Sequence, residues 1–172
     1  MLPSIDLRIA NIIKALEQVV QPALAPRERL ARDQVNLCIG HLRMIMEQWR
    51  WAVAFEARSL DAMIALADNI LPSVEIVWHD ELASALDRGW WVDRQDLAAV
   101  EKAIVALGGV IDRIILGEDG KYPLTDAVRQ AVLDYGEAQA ARERAWFAGT
   151  GLDPDRAELS SIAAMMDAGV VR

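Results

Sequence analysis

Cysteine is almost missing from this chain. With Cys38 alone, no intramolecular disulfide can form, so the fold rests on packing and polar contacts, a usage that suits a reducing compartment. Histidine is nearly as scarce, at His41 and His79, and neither stands in a Glu-x-x-His or His-Glu-x-x-His pattern. Cys-x-x-Cys pairs, a phosphate-binding glycine loop and a glycine-flanked serine elbow are absent too. Lysine occurs only at Lys14, Lys102 and Lys121, so the basic residues are mostly arginine; with abundant alanine, this skew suggests a GC-rich bacterial genome. No stretch approaches the roughly twenty apolar residues that span a bilayer. Asp6 and Arg8 interrupt the apolar pattern of residues 1–13, which argues against a signal peptide, and the default expectation is a cytoplasmic protein.

The charge balance is acidic. Eighteen Lys and Arg against 26 Asp and Glu give a net charge of −8, a field that repels nucleic acid and anionic lipid. Arg27, Arg29 and Arg32 lie close together, but Glu28 and Asp33 dilute them and no aromatic residue is interleaved. Neither a nucleic acid nor a membrane is therefore an expected partner.

What the chain does have is apolar surface. Hydrophobic residues make up 53% of its 172 positions, and mean hydropathy is +0.14. A surplus of this kind usually goes into an oligomer interface or a ligand pocket. Six tryptophans against two phenylalanines and two tyrosines are part of it. One domain over residues 1–172 is the natural reading at this length.

Apolar positions recur at three and four residues, not at two, which predicts an all-α protein. Expected helices run over residues 4–20, 27–58, 60–71, 74–86, from the pair Asp93 and Asp96 to 116, from Pro123 or Thr125 to 147, and 154–169. Six to seven helices joined by short loops imply an up-and-down bundle. Ser59, Ser73, the pair Asp93 and Asp96, and Asp153 are candidate caps, Pro72 a break and residues 117–123 (GEDGKYP) a loop. In the first helix Ile5, Ile9, Ile12, Leu16 and Val19 or Val20 are expected to face inward. Gly108-Gly109 suggest a kink or a close helix–helix approach, with a ligand approaching the backbone as the alternative.

Residues 27–58 read as one long central helix, apolar on most of its circumference. Asn36, Gly40, Arg43, Glu47 and Arg50 form its narrow polar stripe, and Cys38 falls on the apolar side as a buried, inert thiol. Opposite the charged stripe lie Gln34, His41 and Gln48, spaced by sevens, with Glu56 nearby in direction. Buried polar groups need partners. This row is therefore either a layer that fixes helix register or the wall of a ligand-binding pocket.

The order of His41, then His79-Asp80, then a later aspartate is similar to that of the HD superfamily of metal-dependent phosphohydrolases, which are also helical. The resemblance would imply a divalent metal held by His41, His79 and Asp80, with Asp126 or Asp134 as fourth ligand. The residues after Asp80 (ELASALD) depart from it, because they lack the small or glycine-containing turn common after the pair. No catalytic residue, metal or cofactor is assigned from the sequence.

Trp49 and Trp78 belong to buried stripes. Trp51, Trp90, Trp91 and Trp146 are candidate interface residues, with Trp90-Trp91 the favoured contact patch. The segment 137–144 (EAQAARER) reads as a solvated helical face. The leading expectation is a non-catalytic bundle acting by association, as a homo-oligomer, with a protein partner or with a small apolar ligand. The alternative is an enzyme or ligand-binding protein with its pocket at His41 and Glu56.

Overall fold

The computed structural model describes residues 3–168. Among them every regular element is helical, as the periodicity predicts. Helix α1 (Ile5–Ala15) continues through a π-helical turn (Leu16–Val20) and a last turn (Gln21–Ala23). It is followed by α2 (Arg29–Gln48), α3 (Ala52–Ile70), α4 (Ile76–Trp90), α5 (Leu97–Gly120), α6 (Asp126–Trp146) and α7 (Ile162–Ala168). None of the described helices is long and apolar enough to cross a membrane. Two compact units result: a central unit of residues 51–142, and a terminal unit of the residues up to 50 with those from 143 onward.

In the central unit α3, α4 and α5 pack on one another around a continuous core. Leu60, Ile70, Leu82, Val100, Leu107 and Val128 are almost wholly shielded from solvent. The periodicity anticipates these faces, because each helix buries a three-and-four stripe. Gly89 is the position that needs to be small: a Cβ there would stand 3.3 Å from Ile64. Close approach was expected at Gly108-Gly109, but a Cβ at Gly108 would meet only the Met63 side chain at 3.6 Å, an ordinary contact.

The right-handed part of α5 ends at Leu116, since Gly117, Glu118 and Asp119 all adopt left-handed backbone angles. Gly117 is required there: its φ is 58°, and a Cβ would come within 2.3 Å of the Tyr122 carbonyl oxygen. The turn closes with the Tyr122 N–H donating to the Gly117 carbonyl. Asp96 caps α5 and Thr125 caps α6 through their side-chain oxygens. Ser59 does not act as a cap; it lies buried within α3 and donates to the Phe55 carbonyl at 3.1 Å.

In the terminal unit α1 and α2 form an antiparallel hairpin. Asp6 pairs with Arg50, Glu17 with Arg43 and Gln21 with Asn36. Between the helices Ile9, Ile13 and Ile39 are buried, with Leu16, Val35, Leu42, Met46 and Trp49 packed against them. The inward stripe of the first helix therefore differs from expectation. Ile5, Ile12, Val19 and Val20 are exposed, because the seam against α2 follows Ile9, Ile13 and Leu16.

The long helix expected over residues 27–58 is interrupted. Regular hydrogen bonding stops at Gln48 and resumes at Ala52. Neither proline nor glycine marks the break. Within it the Trp49 indole N–H and the Arg50 guanidinium both donate to the Asp6 carboxylate. The last expected helix also starts later, at Ile162, with Ser161 as its cap. Its expected end at Gly169 lies outside the described residues.

Candidate functional site

Helix α2 buries one side only. Ile39 is buried, while Leu37, Cys38 and Ile45 are exposed. A two-helix seam covers about a third of a helix circumference, so the expectation of an all-round buried rod fails, and with it that of a buried Cys38.

The row Gln34, His41, Gln48 and Glu56 is not an internal layer. Gln34 and His41 are exposed, Gln48 is half-buried, and Glu56, also half-buried, belongs to the other unit. Gln48 is satisfied by the main chain, its Nε2 donating to the Trp146 carbonyl at 2.8 Å.

One of the expected site residues nonetheless flanks a concavity. His41 stands at the wall of an open groove of about 410 Å³, between α2 and the turn after α6. Leu37, Met44 and Leu152 supply its apolar wall, Asp33, Asn36, His41 and Thr150 its polar margin, and Gly40 leaves its floor open. That volume lies within the range of small-molecule sites. Of the four residues in the row, His41 alone lines the groove; its neighbour in direction, Gln34, does not. Residues 149–152 were missed by sequence reasoning, for want of any signal that the chain returns to α2 after residue 146.

The strongest polar cluster of the terminal unit was also missed. Asp6 accepts from Trp49 Nε1 at 2.9 Å and from Arg50, whose guanidinium lies 5.2 Å from the centre of the Trp49 ring. The Trp49 N–H first, and then Arg50, hold the Asp6 carboxyl below its ordinary value of 3.8. Arg144 grips Asp153 through two bonds of 2.7 and 3.0 Å and holds that carboxyl low in the same way. These pairs sit on the surface and are structural ties, with no nucleophile beside them.

His79 is exposed, its Nδ1 3.6 Å from Asp80. His41 lies in the terminal unit and the His79-Asp80 pair in the central one. Among the described residues no three His, Cys, Asp or Glu side chains gather to hold a metal ion. The ligand set that the HD resemblance would require is therefore not assembled.

The candidate interface tryptophans divide. Trp91 is 83% exposed and Trp90 58% exposed, at the C-terminal end of α4. Trp51 is half-buried. Trp146 is buried. Beside Trp90 and Trp91, a groove of about 240 Å³ runs between α4 and α5; Ala85, Gly89, Ala99, Ala103 and Ala106 line it, and Arg88 and Lys102 stand at its edge. No family model, no curated protein and no solved structure matches this chain.

Proposed function

We propose that this chain is a cytoplasmic, non-catalytic helical protein that works by association, with protein partners or with further copies of itself. The observation that carries this reading is the pair Trp90 and Trp91, two large apolar rings held in solvent on one helix end. An indole is costly to leave in water, and tryptophan is the residue most enriched at the centres of protein contacts. The adjoining groove supports the reading, because its alanine and glycine walls admit an apolar side chain from a partner. Exposed Ile76 and Val77, at the other end of α4, add to the apolar surface of the same unit.

The expected outcome is measurable on the purified full chain. Its weight-average mass by light scattering and sedimentation should exceed 19.0 kDa at micromolar concentration. A strict monomer at high micromolar concentration would remove self-association from the reading. Trp90→Ser with Trp91→Ser should leave the helical circular dichroism unchanged, since neither ring is buried, and should abolish retention on a mildly apolar matrix. Unchanged retention would reject this patch.

The His41 groove favours a second reading, a binding site for a small molecule with an apolar body. The dye ANS, an apolar ring system bearing one sulfonate, serves as probe. The His41 ring resonances should shift on titration with it, and His41→Ala should weaken binding without loss of helix. Unperturbed His41 resonances at saturating dye would rule the site out.

A further inference from the structure

We propose that the groove between α4 and α5 is a docking site for an acidic segment of a partner protein, one that seats an apolar side chain between carboxylates. The proposal rests on the association reading and gives its partner a chemistry.

Most cations of the central unit have an anion beside them. Arg94 pairs with Asp61, Arg113 with Glu81, Lys121 with Glu118 and Arg129 with Asp126. Arg88 and Lys102 differ. Positions three and four residues away on a helix are where a carboxylate would reach them. Ser84, Ala85, Trp91 and Val92 stand there around Arg88, and Ala98, Ala99, Val105 and Ala106 around Lys102. Arg88 donates to the Ser84 hydroxyl at 2.6 Å, and among the described residues no carboxylate pairs with either cation.

Both stand at the edge of the same groove, Arg88 on its α4 wall and Lys102 on its α5 wall. The acidic residues close by in sequence are turned elsewhere. Asp87 accepts from the Trp91 indole N–H at 3.3 Å, Asp93 from the Gln95 N–H at 2.9 Å and Asp96 from the Ala99 N–H at 3.1 Å. Neither these three nor Glu101 lines the groove. Two uncompensated positive charges therefore flank an apolar slot in a chain whose net charge is −8. Salt screens charges beyond about 10 Å, so a docked carboxylate responds to this pair before the rest of the molecule.

The dimensions favour a side chain of a partner over a free ligand. The space of about 240 Å³ falls below the roughly 300–1,000 Å³ of small-molecule sites. Trp90 and Trp91 extend the apolar surface beside it. With one cation on each wall, a carboxylate on either side of the apolar anchor finds its own partner, which fixes the register of the docked segment. A second copy suits the slot less well, because a twofold contact would set these cations against their own counterparts.

The test selects peptides on the purified full chain from a displayed library, each peptide carrying one fixed leucine between random residues. Wild-type protein should enrich aspartate and glutamate beside the leucine. Arg88→Glu with Lys102→Glu should remove that enrichment and weaken the best acidic peptide about tenfold or more in fluorescence anisotropy. Affinity for that peptide should also fall as salt rises. Both cationic side chains are exposed, so the helical circular dichroism should persist. Should it be lost, Arg88→Gln with Lys102→Gln removes the charges without reversing them, and the same loss of acidic preference is expected.

Neutral peptides that bind wild-type and charge-reversed protein equally, and bind less to Trp90→Ser with Trp91→Ser, overturn the acidic partner and leave association through the tryptophans standing. A library from which nothing is retained overturns the proposal, and the retention of the tryptophan variant on an apolar matrix then judges association by itself. A wild-type dimer that Arg88→Glu with Lys102→Glu dissociates assigns the groove to a second copy, and saturable binding of decanoate without any peptide assigns it to a small amphiphile. Either result overturns the proposal.

Discussion

The two units differ most in how much they enclose. Among the described residues the central unit buries a cluster of fifteen side chains, and the terminal unit's hairpin buries three. The first resembles an ordinary small-protein core, in which α3, α4 and α5 cover one another's apolar stripes. The second is a single seam, helped by surface ties at Asp6, Glu17 and Gln21. The contrast shows where the apolar surplus of the composition went. In the central unit most of it is inside, with Trp90 and Trp91 left over; in the terminal unit much of it is outside.

Core truncations should expose this difference most strongly. Leu82 is fully shielded in the central cluster, so Leu82→Ala should cost about 2–5 kcal/mol, the transfer term plus the cavity left behind. Ile13, 8% exposed at the hairpin seam, is ringed by half-buried neighbours that can close over a smaller side chain. Ile13→Ala should cost only about 1–2 kcal/mol. Urea denaturation of both variants, followed by circular dichroism, measures the pair. Equal losses would erase the distinction between a well-enclosed core and a thinly covered seam.

The sequence carried the helical class and most of the central unit, because there the amphipathic period and the burial agree residue by residue: Leu60, Ile64 and Ala67, or Val100, Leu107, Ile111 and Ile114, are both periodic and enclosed. It carried the break at Leu116 as well, since GEDGKYP holds the glycine that a left-handed turn needs. It misled along residues 27–58. Periodicity reports which residues are apolar, and an apolar residue left in solvent has the same spacing as one turned into the chain's own core. Ile5, Ile12, Cys38 and Ile45 therefore read as interior while standing in solvent. The break at 49–51 was hidden for a different reason, because neither proline nor glycine stands there to announce it. His41 lines a groove that is open and is walled on its far side by Gly149, Thr150 and Leu152, not by Glu56.

The smallest expected effect is one of acid. Asp6 and Asp153, the two carboxyls held low by their partners, both belong to the terminal unit. In the unfolded chain each takes up its proton near the ordinary value of 3.8, whereas in the folded chain the N–H donors of Trp49, Arg50 and Arg144 delay that uptake to lower pH. Across the interval between those values the unfolded state binds more protons, so stability rises with pH there. The stabilisation is complete above the ordinary aspartate value and disappears as pH falls through the folded one. Both pairs are solvent-accessible and screened by salt, which keeps the effect modest. Asp6→Asn with Asp153→Asn should therefore flatten the dependence of urea midpoint on pH below about 4, while lowering the midpoint at neutral pH. The flattening should shrink in high salt. If the double variant retains the full acid slope of the wild type, the terminal unit is not held by these carboxylates, and its hairpin must owe its closure to the isoleucine seam.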